Sequence, residues 1–227
     1  MINHVIWGAG VLGHLLLLAV LLMRRRMGAF PWFTILILFD LMRSVGLAAV
    51  LHFSGHPAPV IVSRVVDVTD ILLEFAVLVE LTTMALRPLG AGRRLLLSLL
   101  LLASACVMGF RLAPAGRIHL GLVLILGHFL LSVMFVEWAI VLAFLLKPLQ
   151  LSWRSYVAVI TFGFGVYSAA LLAGGGYFTT GREMRDYVFF SFFRVTVYLL
   201  VLAWWTVRLS FSEGAARSSE GSARGSA

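Results

Sequence analysis

Long apolar runs alternate with short polar breaks along almost the whole chain. Seven of these runs are predicted to be membrane-spanning helices, since roughly 20 residues at about 1.5 Å each cross a hydrocarbon core of about 30 Å; the fourth run is short for a span but uniformly apolar. The breaks hold arginine, proline and glycine, which are typical of helix ends and loops. The pattern predicts an all-α bundle of seven transmembrane helices, with approximate spans at residues 4–23, 32–53, 62–86, 95–110, 119–146, 156–173 and 187–209.

The last residues of the chain differ in composition from the rest. Residues 211–227 are rich in serine, glycine, alanine and arginine and hold too few large apolar side chains to form a packed core. We therefore predict a single transmembrane domain over residues 1–210 and a disordered cytoplasmic tail over residues 211–227.

The basic residues in the predicted loops are distributed unequally between the two sides of the membrane. Cytoplasmic loops of membrane proteins are enriched in lysine and arginine, so the richer side predicts the cytoplasm and places the N-terminus outside and the C-terminus inside. The first basic cluster follows the first apolar run, the reverse of a secretory signal, so we expect that run to be retained as a helix. The richer side holds Arg24, Arg25, Arg26, Arg87, Arg93, Arg94, Lys147, Arg154 and Arg208, and the other side holds Arg111, Arg117, Arg182 and Arg185.

Composition agrees with an integral membrane protein. Of the 227 residues, 61% are hydrophobic and only 12% are charged, which is outside the range of soluble domains. The formal net charge of +8 would suggest a nucleic-acid partner in a soluble chain. Here the positive charge lies in short loops that orient the protein, so we expect the lipid bilayer as partner and no nucleic acid.

The third span carries an unusual number of ionisable residues for a membrane helix. At 100° per residue, Asp67, Asp70 and Glu74 fall within roughly 60° of one another and form one acidic face. A carboxylate at membrane depth costs several kcal/mol, so this face is predicted to point into the bundle or a wet cavity.

Other spans place polar residues at a similar depth. Counting about 1.5 Å per residue from the predicted outer ends puts six ionisable residues roughly 10 to 18 Å below the outer surface. They are His14, Arg43, Asp70, Glu74, His128 and Arg194. Three interpretations stay open: a structural charge network, a ligand pocket or ion pathway, and hydrolytic chemistry. The predicted polar cavity consists of His14, Arg43, Asp67, Asp70, Glu74, His128, Arg194 and Tyr198.

Two further carboxylates form a predicted inner acidic layer nearer the cytoplasm. Glu80 and Glu137 lie in the third and fifth spans, and we expect Arg87 or Arg154 to neutralise them. In the second span, Asp40 lies one turn before Arg43, and this spacing favours an ion pair within one helix.

Arg194 lies about two turns into the seventh span, too deep to be left without a partner. It shares a narrow arc of that helix with Tyr187, Ser191, Tyr198 and Trp205. Because a guanidinium can bind a carboxylate through two hydrogen bonds, we predict a pair with Asp70 or Glu74. The alternative is that Arg194 binds an anionic ligand.

The sequence lacks the residues expected for common membrane cofactors. Lys147 is the only lysine and lies in a loop, so no lysine is placed to hold retinal. His14, His52 and His128 lie on separate helices with no HExxH or HxxxH pair, so we predict no metal site and do not expect haem. Cys106 is alone, which excludes an internal disulfide, and we expect it to be a small buried residue.

Several short segments resemble a family of uncharacterised bacterial seven-helix integral membrane proteins. They are Phe30-Pro31-Trp32-Phe33 with the following Arg43, the segment from Glu74 to Glu80, and Leu151-Ser152-Trp153-Arg154 leading to Gly163-Phe164-Gly165. The resemblance covers most of the chain and implies a multi-pass protein of the bacterial inner (plasma) membrane. It implies no catalytic residue and does not include His14 or His128.

These observations favour a receptor-like or sensory module that binds a small ligand in an outer-half polar cavity. Because the predicted loops are too short to hold a folded domain, the signal would pass to a cytoplasmic partner, and a homo-oligomer is also open. A small transporter or proton-coupled carrier is the alternative interpretation, and a membrane-embedded enzyme is the third. No internal repeat or inverted pair of halves supports the transporter.

Overall fold

The structure is a computed structural model of the chain, and every regular element that it describes is an α-helix. It describes residues 2–54, 60–90, 120–149, 151–178 and 184–211, together with 92, 95, 98, 99, 102–104 and 106. No strand occurs within these ranges. The predicted all-α class is therefore confirmed for this part of the chain.

Six continuous helices correspond to six of the seven predicted spans. The predicted fourth span, at 95–110, lies largely outside the described residues, although the eight isolated residues described between 92 and 106 are helical. The predicted tail lies outside them too, except for Phe211. The helices are α1 (Ile2–Met23), α2 (Pro31–Ser54), α3 (Val60–Ala85), α4 (Leu120–Leu145), α5 (Tyr156–Phe178) and α6 (Met184–Ser210).

Five of these helices are long and apolar enough to cross a membrane: α1, α2, α4, α5 and α6. Helix α3 is equally long but carries Arg64, Asp67, Asp70, Glu74 and Glu80, and it is not among the five. The helices are those of an integral membrane protein.

The described helices form a closed ring in which each contacts its neighbours in the chain. Contacts run from α1 to α2, α2 to α3, α3 to α4, α4 to α5 and α5 to α6, and α6 also packs against α1. Helix α3 additionally touches α5 across the ring. A ring of this kind brings one face of every helix to a shared interior.

That interior has two layers along the helix axes. The apolar layer includes Leu21, Phe33, Leu81, Trp138 and Trp205, and it lies towards the end that we predict to be cytoplasmic. The polar layer is built from positions about two turns further towards the opposite end of each helix. The apolar layer holds the helices together, while the polar layer leaves a cavity.

Two glycines of α5 allow its neighbours to approach closely. A Cβ atom at Gly165 would lie 2.6 Å from the Cβ of Ala139 on α4, closer than two side chains can pack. At Gly163, a Cβ would overlap the indole ring of Trp205, whose Nε1 donates a hydrogen bond to the Val159 carbonyl at 3.3 Å. These close approaches join α4, α5 and α6 in the apolar layer.

The inner acidic layer is neutralised differently from our expectation. The Glu80 Oε1 and Oε2 atoms accept hydrogen bonds from the backbone N–H groups of Trp32 and Phe33, at 3.2 and 3.1 Å. The carboxylate thus caps the first turn of α2, where unpaired N–H groups attract negative charge. The prediction of Arg87 or Arg154 as its partner is wrong, because helix-end amides supply the donors.

Glu137 also has a different partner from the one we expected. Its Oε1 accepts a hydrogen bond from the Ser104 hydroxyl at 2.6 Å, and its Oε2 is buried without a described hydrogen-bond partner. Neither predicted arginine is within ion-pair distance among the described residues. Ser104 lies in the predicted fourth span, so this contact ties that segment to α4.

Two smaller expectations are corrected. Helix α5 continues through Gly174, Gly175 and Gly176, beyond residue 173 where its span was predicted to end, although each glycine costs a helix about 1 kcal/mol. Cys106 is exposed rather than buried.

Candidate functional site

The polar layer encloses one cavity lined by all six described helices. Its volume is about 460 Å³, the size range of small-molecule sites. Phe164 and Trp205, whose ring centroids lie 4.8 Å apart, contribute apolar surface to it. The structure brings every residue of the predicted polar cavity to this lining: His14, Arg43, Asp67, Asp70, Glu74, His128, Arg194 and Tyr198.

Arg43 of α2 forms an ion pair with Asp70 of α3 through its Nη1 atom and the Asp70 Oδ2 atom. Asp70 is buried and Arg43 is partly exposed to the cavity. The pair links two helices, so the prediction of an ion pair within α2 between Asp40 and Arg43 is wrong. Helical spacing permitted that pair, but the neighbouring helix offers Arg43 a carboxylate in hydrogen-bond contact.

Glu74 of α3 faces His128 of α4, with the Glu74 Oε2 atom 3.7 Å from the His128 Nδ1 atom. One ligand atom each from Asp70, Glu74 and His128 lies within 4.8 Å of the others. The predicted ion pair between Arg194 and Asp70 or Glu74 is therefore wrong, because those carboxylates face Arg43 and His128. The acidic face of α3 was correctly placed, but its partners come from α2 and α4.

His14 and Tyr198 form a hydrogen-bonded group with Asp40 on the opposite side of the cavity. The His14 Nδ1 atom is 2.7 Å from the Gly10 carbonyl oxygen, and its Nε2 atom is 2.7 Å from the Tyr198 hydroxyl. The Tyr198 hydroxyl donates to the Asp40 Oδ2 atom at 3.3 Å. His14 is therefore buried and bonded both within α1 and to α6.

The proton positions in this group are limited by chemistry. Since a carbonyl oxygen only accepts, the Nδ1 atom of His14 must carry a hydrogen. If His14 is neutral, its Nε2 accepts from Tyr198, whose single hydrogen is then not available to Asp40. If His14 is charged, its Nε2 donates to Tyr198, and Tyr198 donates to Asp40. A proton on His14 thus reverses the hydrogen bond between His14 and Tyr198 and frees the Tyr198 hydrogen for Asp40.

Arg194 lines the cavity from α6 and is exposed to it. Among the described residues, no carboxylate oxygen lies within 4.0 Å of its guanidinium. Tyr198 and Trp205 of the same helix also line the cavity, in agreement with the predicted arc. Ser191, the next member of that arc, lines a neighbouring groove that is described below. The side chain of Tyr187 lies outside the described part of the chain. Arg194 is therefore a cation of the cavity that a bound anion can reach without displacing a described carboxylate.

A second, more apolar groove adjoins the cavity between α1, α2 and α6. The two share His14, Ser44, Val195 and Tyr198 in their linings. The indole Nε1 of Trp7 donates to the Ser44 carbonyl at 3.3 Å at the edge of this groove. The cavity is therefore continuous with a groove on the side of the bundle.

Sequence reasoning missed two residues of the site. Asp40 was assigned to a pair within α2, although its place one turn before Arg43 already put it on the cavity face. Tyr167 lines the cavity from α5, and its ring centroid lies 5.1 Å from that of Tyr198. Tyr167 could have been found from the sequence because it lies three residues after Phe164 and so on the same helix face. A tyrosine on a buried helix face needs a hydrogen-bond partner for its hydroxyl.

The fold and the site define a helical membrane protein with a charged interior cavity. None of the protein-family models, curated proteins or solved structures compared with this chain matches it. The resemblance to a bacterial seven-helix family stays a prediction, and the function is inferred from the cavity itself.

Proposed function

We propose that this protein is a receptor-like membrane module that binds a small ligand through an anionic group in the interior cavity. The single observation that carries this proposal is the position of Arg194. It lines the cavity with no described carboxylate at ion-pair distance, whereas Asp70, Glu74 and Asp40 each have a partner among the other lining residues.

A guanidinium group suits this task because of its geometry. Its planar array of N–H donors matches carboxylate and phosphate oxygens and forms two parallel hydrogen bonds with either. A cavity of about 460 Å³ limits the ligand to a small molecule. The ligand class is therefore a small carboxylate or phosphate ester, with Tyr167 able to add a hydrogen bond from its hydroxyl group.

The setting that we propose is the bacterial plasma membrane, crossed seven times with the N-terminus outside. The unequal arginine content of the loops supports this orientation, which puts the cavity in the outer half of the membrane. Binding would alter the packing of α6 against α1 and α5, since Arg194 lies on the helix that joins them. A separate cytoplasmic protein or a second copy of the chain would receive the signal.

Thermal unfolding of the detergent-purified full chain tests the proposal. A panel of small carboxylates and phosphate monoesters at about 10 mM should include compounds that raise the melting temperature, because a ligand that binds only the folded state stabilises it. Arg194→Gln should abolish the shift. The matched control is Arg208→Gln, an arginine on the same helix that packs over the Trp204 ring, 4.4 Å from its centroid, and it should retain the shift. Equal shifts in the wild type and Arg194→Gln, or no shift with any anion, would reject the proposal.

A proton-coupled carrier is the second candidate, favoured by the His14–Tyr198–Asp40 group. Its hydrogen bonds reverse when His14 gains a proton, so proton and ligand binding can be linked in one cavity. Proteoliposomes containing a pH-sensitive dye distinguish the two candidates. A carrier would acidify the interior when a stabilising anion is added outside, and Tyr198→Phe would remove that signal. Binding without any change of interior pH favours the receptor.

A further inference from the structure

Asp70, Glu74 and His128 present oxygen and nitrogen donors to one point beside the cavity. Asp70 and Glu74 lie one helical turn apart on α3, and His128 comes from α4. One ligand atom of each lies within 4.8 Å of the others, and the Glu74 and His128 atoms are 3.7 Å apart. Two helices thus form a three-residue cluster of mixed donors, which spacing along a single helix does not reveal.

The spacing of these atoms is close to that of metal ligands. Donors held about 2.1 Å from a tetrahedral ion lie roughly 3.4 Å from one another. The separation of 3.7 Å between the Glu74 and His128 atoms already approaches this value, and the other separations, each within 4.8 Å, need shorten by at most about 1.4 Å. Such movements are available because Glu74 and His128 are only partly buried and border the cavity.

The charge of the whole cavity lining also favours a cation. Four carboxylates line it against two guanidinium groups, so the lining carries a formal charge of −2 with both histidines neutral. An excess of negative charge is expensive at membrane depth. One divalent cation cancels this negative charge. With the excess charge cancelled, an anionic ligand would bind more favourably at Arg194. The carboxylates are Asp40, Asp67, Asp70 and Glu74, and the guanidinium groups are Arg43 and Arg194.

The Arg43–Asp70 ion pair is compatible with a cation at this cluster. Arg43 contacts the Oδ2 atom of Asp70, which leaves the Oδ1 atom as a possible ligand. Carboxylates that bind metals are commonly held in place by hydrogen bonds from neighbouring side chains. Arg43 would then hold the Asp70 carboxylate in place through its Oδ2 atom, without occupying the position of the ion.

We propose that Asp70, Glu74 and His128 bind a divalent first-row transition-metal ion, with water completing its coordination. One imidazole and two carboxylates suit Zn²⁺, Mn²⁺ or Fe²⁺, whereas Ca²⁺ and Mg²⁺ prefer oxygen ligands alone. This inference goes beyond the proposed ligand binding and holds whether or not Arg194 binds an anion. It also replaces the sequence prediction of no metal site, which rested on the absence of histidine pairs.

The test titrates Co²⁺ into the full chain, purified in detergent, freed of metal with a chelator and carrying no histidine tag. Wild-type protein should give a visible d–d absorption that saturates at one equivalent, and Zn²⁺ should displace it. His128→Gln and Glu74→Gln should each weaken binding at least about tenfold. Glu137→Gln is the matched control, because this carboxylate on α4 bonds Ser104 and lies away from the cavity lining, and it should bind as the wild type does.

Each variant is compared only if it elutes as a single species with wild-type helix content, and either Gln variant suffices for the comparison. An absent Co²⁺ spectrum in the wild type would overturn the proposal. An unchanged spectrum in whichever of His128→Gln and Glu74→Gln is well folded would also overturn it. Arg194→Gln should retain Co²⁺ binding while it loses the anion response, so a failure of the metal site is distinguishable from a failure of the anion site.

Discussion

The Glu80 side chain on α3 accepts a hydrogen bond from the backbone N–H of Phe33, the third residue of α2, at 3.1 Å. A second bond, from the N–H of Trp32, satisfies another donor of the same helix end. Pro31 has no N–H to satisfy, so the carboxylate meets the first two donors available. A charged residue inside an apolar helix therefore serves as the cap of its neighbour.

Replacing Glu80 should destabilise the fold without altering the cavity. Glu80→Gln removes the charge and one of the two acceptors, leaving one N–H of the helix end without a partner. We expect the free energy of unfolding to fall by about 1 to 3 kcal/mol. Denaturant titration in mixed micelles, followed by circular dichroism, measures this change. A variant as stable as the wild type would show that the helix-end bonds contribute little.

The Arg43–Asp70 pair should behave as a coupled unit. Exposed pairs contribute at most about 1 kcal/mol, and breaking a buried pair costs about 3 to 5 kcal/mol. Because Asp70 is buried and Arg43 partly exposed, Arg43→Gln and Asp70→Asn should each cost about 1 to 3 kcal/mol. The double variant should recover much of that loss, since neither charge is then stranded.

Arg194→Gln is the matched control for this cycle, and it should change stability by no more than about 0.5 kcal/mol because no described carboxylate pairs with it. Losses that simply add in the Arg43 and Asp70 double variant would contradict the coupling. A large loss in Arg194→Gln would instead indicate a structural role for that arginine.

Gly163 should tolerate no side chain. An alanine Cβ there would overlap the Trp205 indole and displace its hydrogen bond to the Val159 carbonyl. We expect Gly163→Ala to lower the melting temperature, corresponding to about 1 to 3 kcal/mol of overpacking strain. The control is Gly46→Ala in α2, where no atom lies within 4 Å of the added Cβ. It should be neutral, or stabilising by up to about 1 kcal/mol, because alanine favours a helix. The reverse order of the two variants would contradict this packing.

The orientation in the membrane is testable with fusions. A reporter that is active only in the cytoplasm should be active when fused after Ala227 and silent when fused before Met1, because the arginine-rich loops are predicted to stay inside. The opposite pattern would place the cavity in the cytoplasmic half and make its ligand an intracellular one.

The length of the apolar runs and the polar breaks between them were sufficient to predict the six helices of the described residues. Apolar runs of membrane-spanning length can satisfy their backbone hydrogen bonds in lipid only within themselves, so length and hydropathy fix the helical class. The acidic face of α3 followed from 100° spacing in the same way. That Asp67, Asp70 and Glu74 share a lining with Arg194 and His128 followed from matching depths, since every helix rises by the same distance per residue.

Partner choice among these residues required the tertiary structure. Depth gives a height along the axis but not an angle around the bundle, so Arg43, His128 and Arg194 were all possible partners for the acidic face. The order and rotation of the helices decide that Asp70 pairs with Arg43 and Glu74 with His128. They also leave Arg194 facing the cavity with no described carboxylate at ion-pair distance.

The same limit explains the inner carboxylates and the cation cluster. Glu80 meets the start of α2 and Glu137 meets Ser104 because of how those helices are juxtaposed, which no sequence spacing encodes. The Asp70, Glu74 and His128 cluster is divided between α3 and α4, so no metal motif was visible along the chain. The sequence by itself determined the helices and the height of each polar residue along its helix, because hydropathy and helical rise are local properties. Only the tertiary structure decided which of them touch, because contacts depend on the rotation of each helix about its own axis.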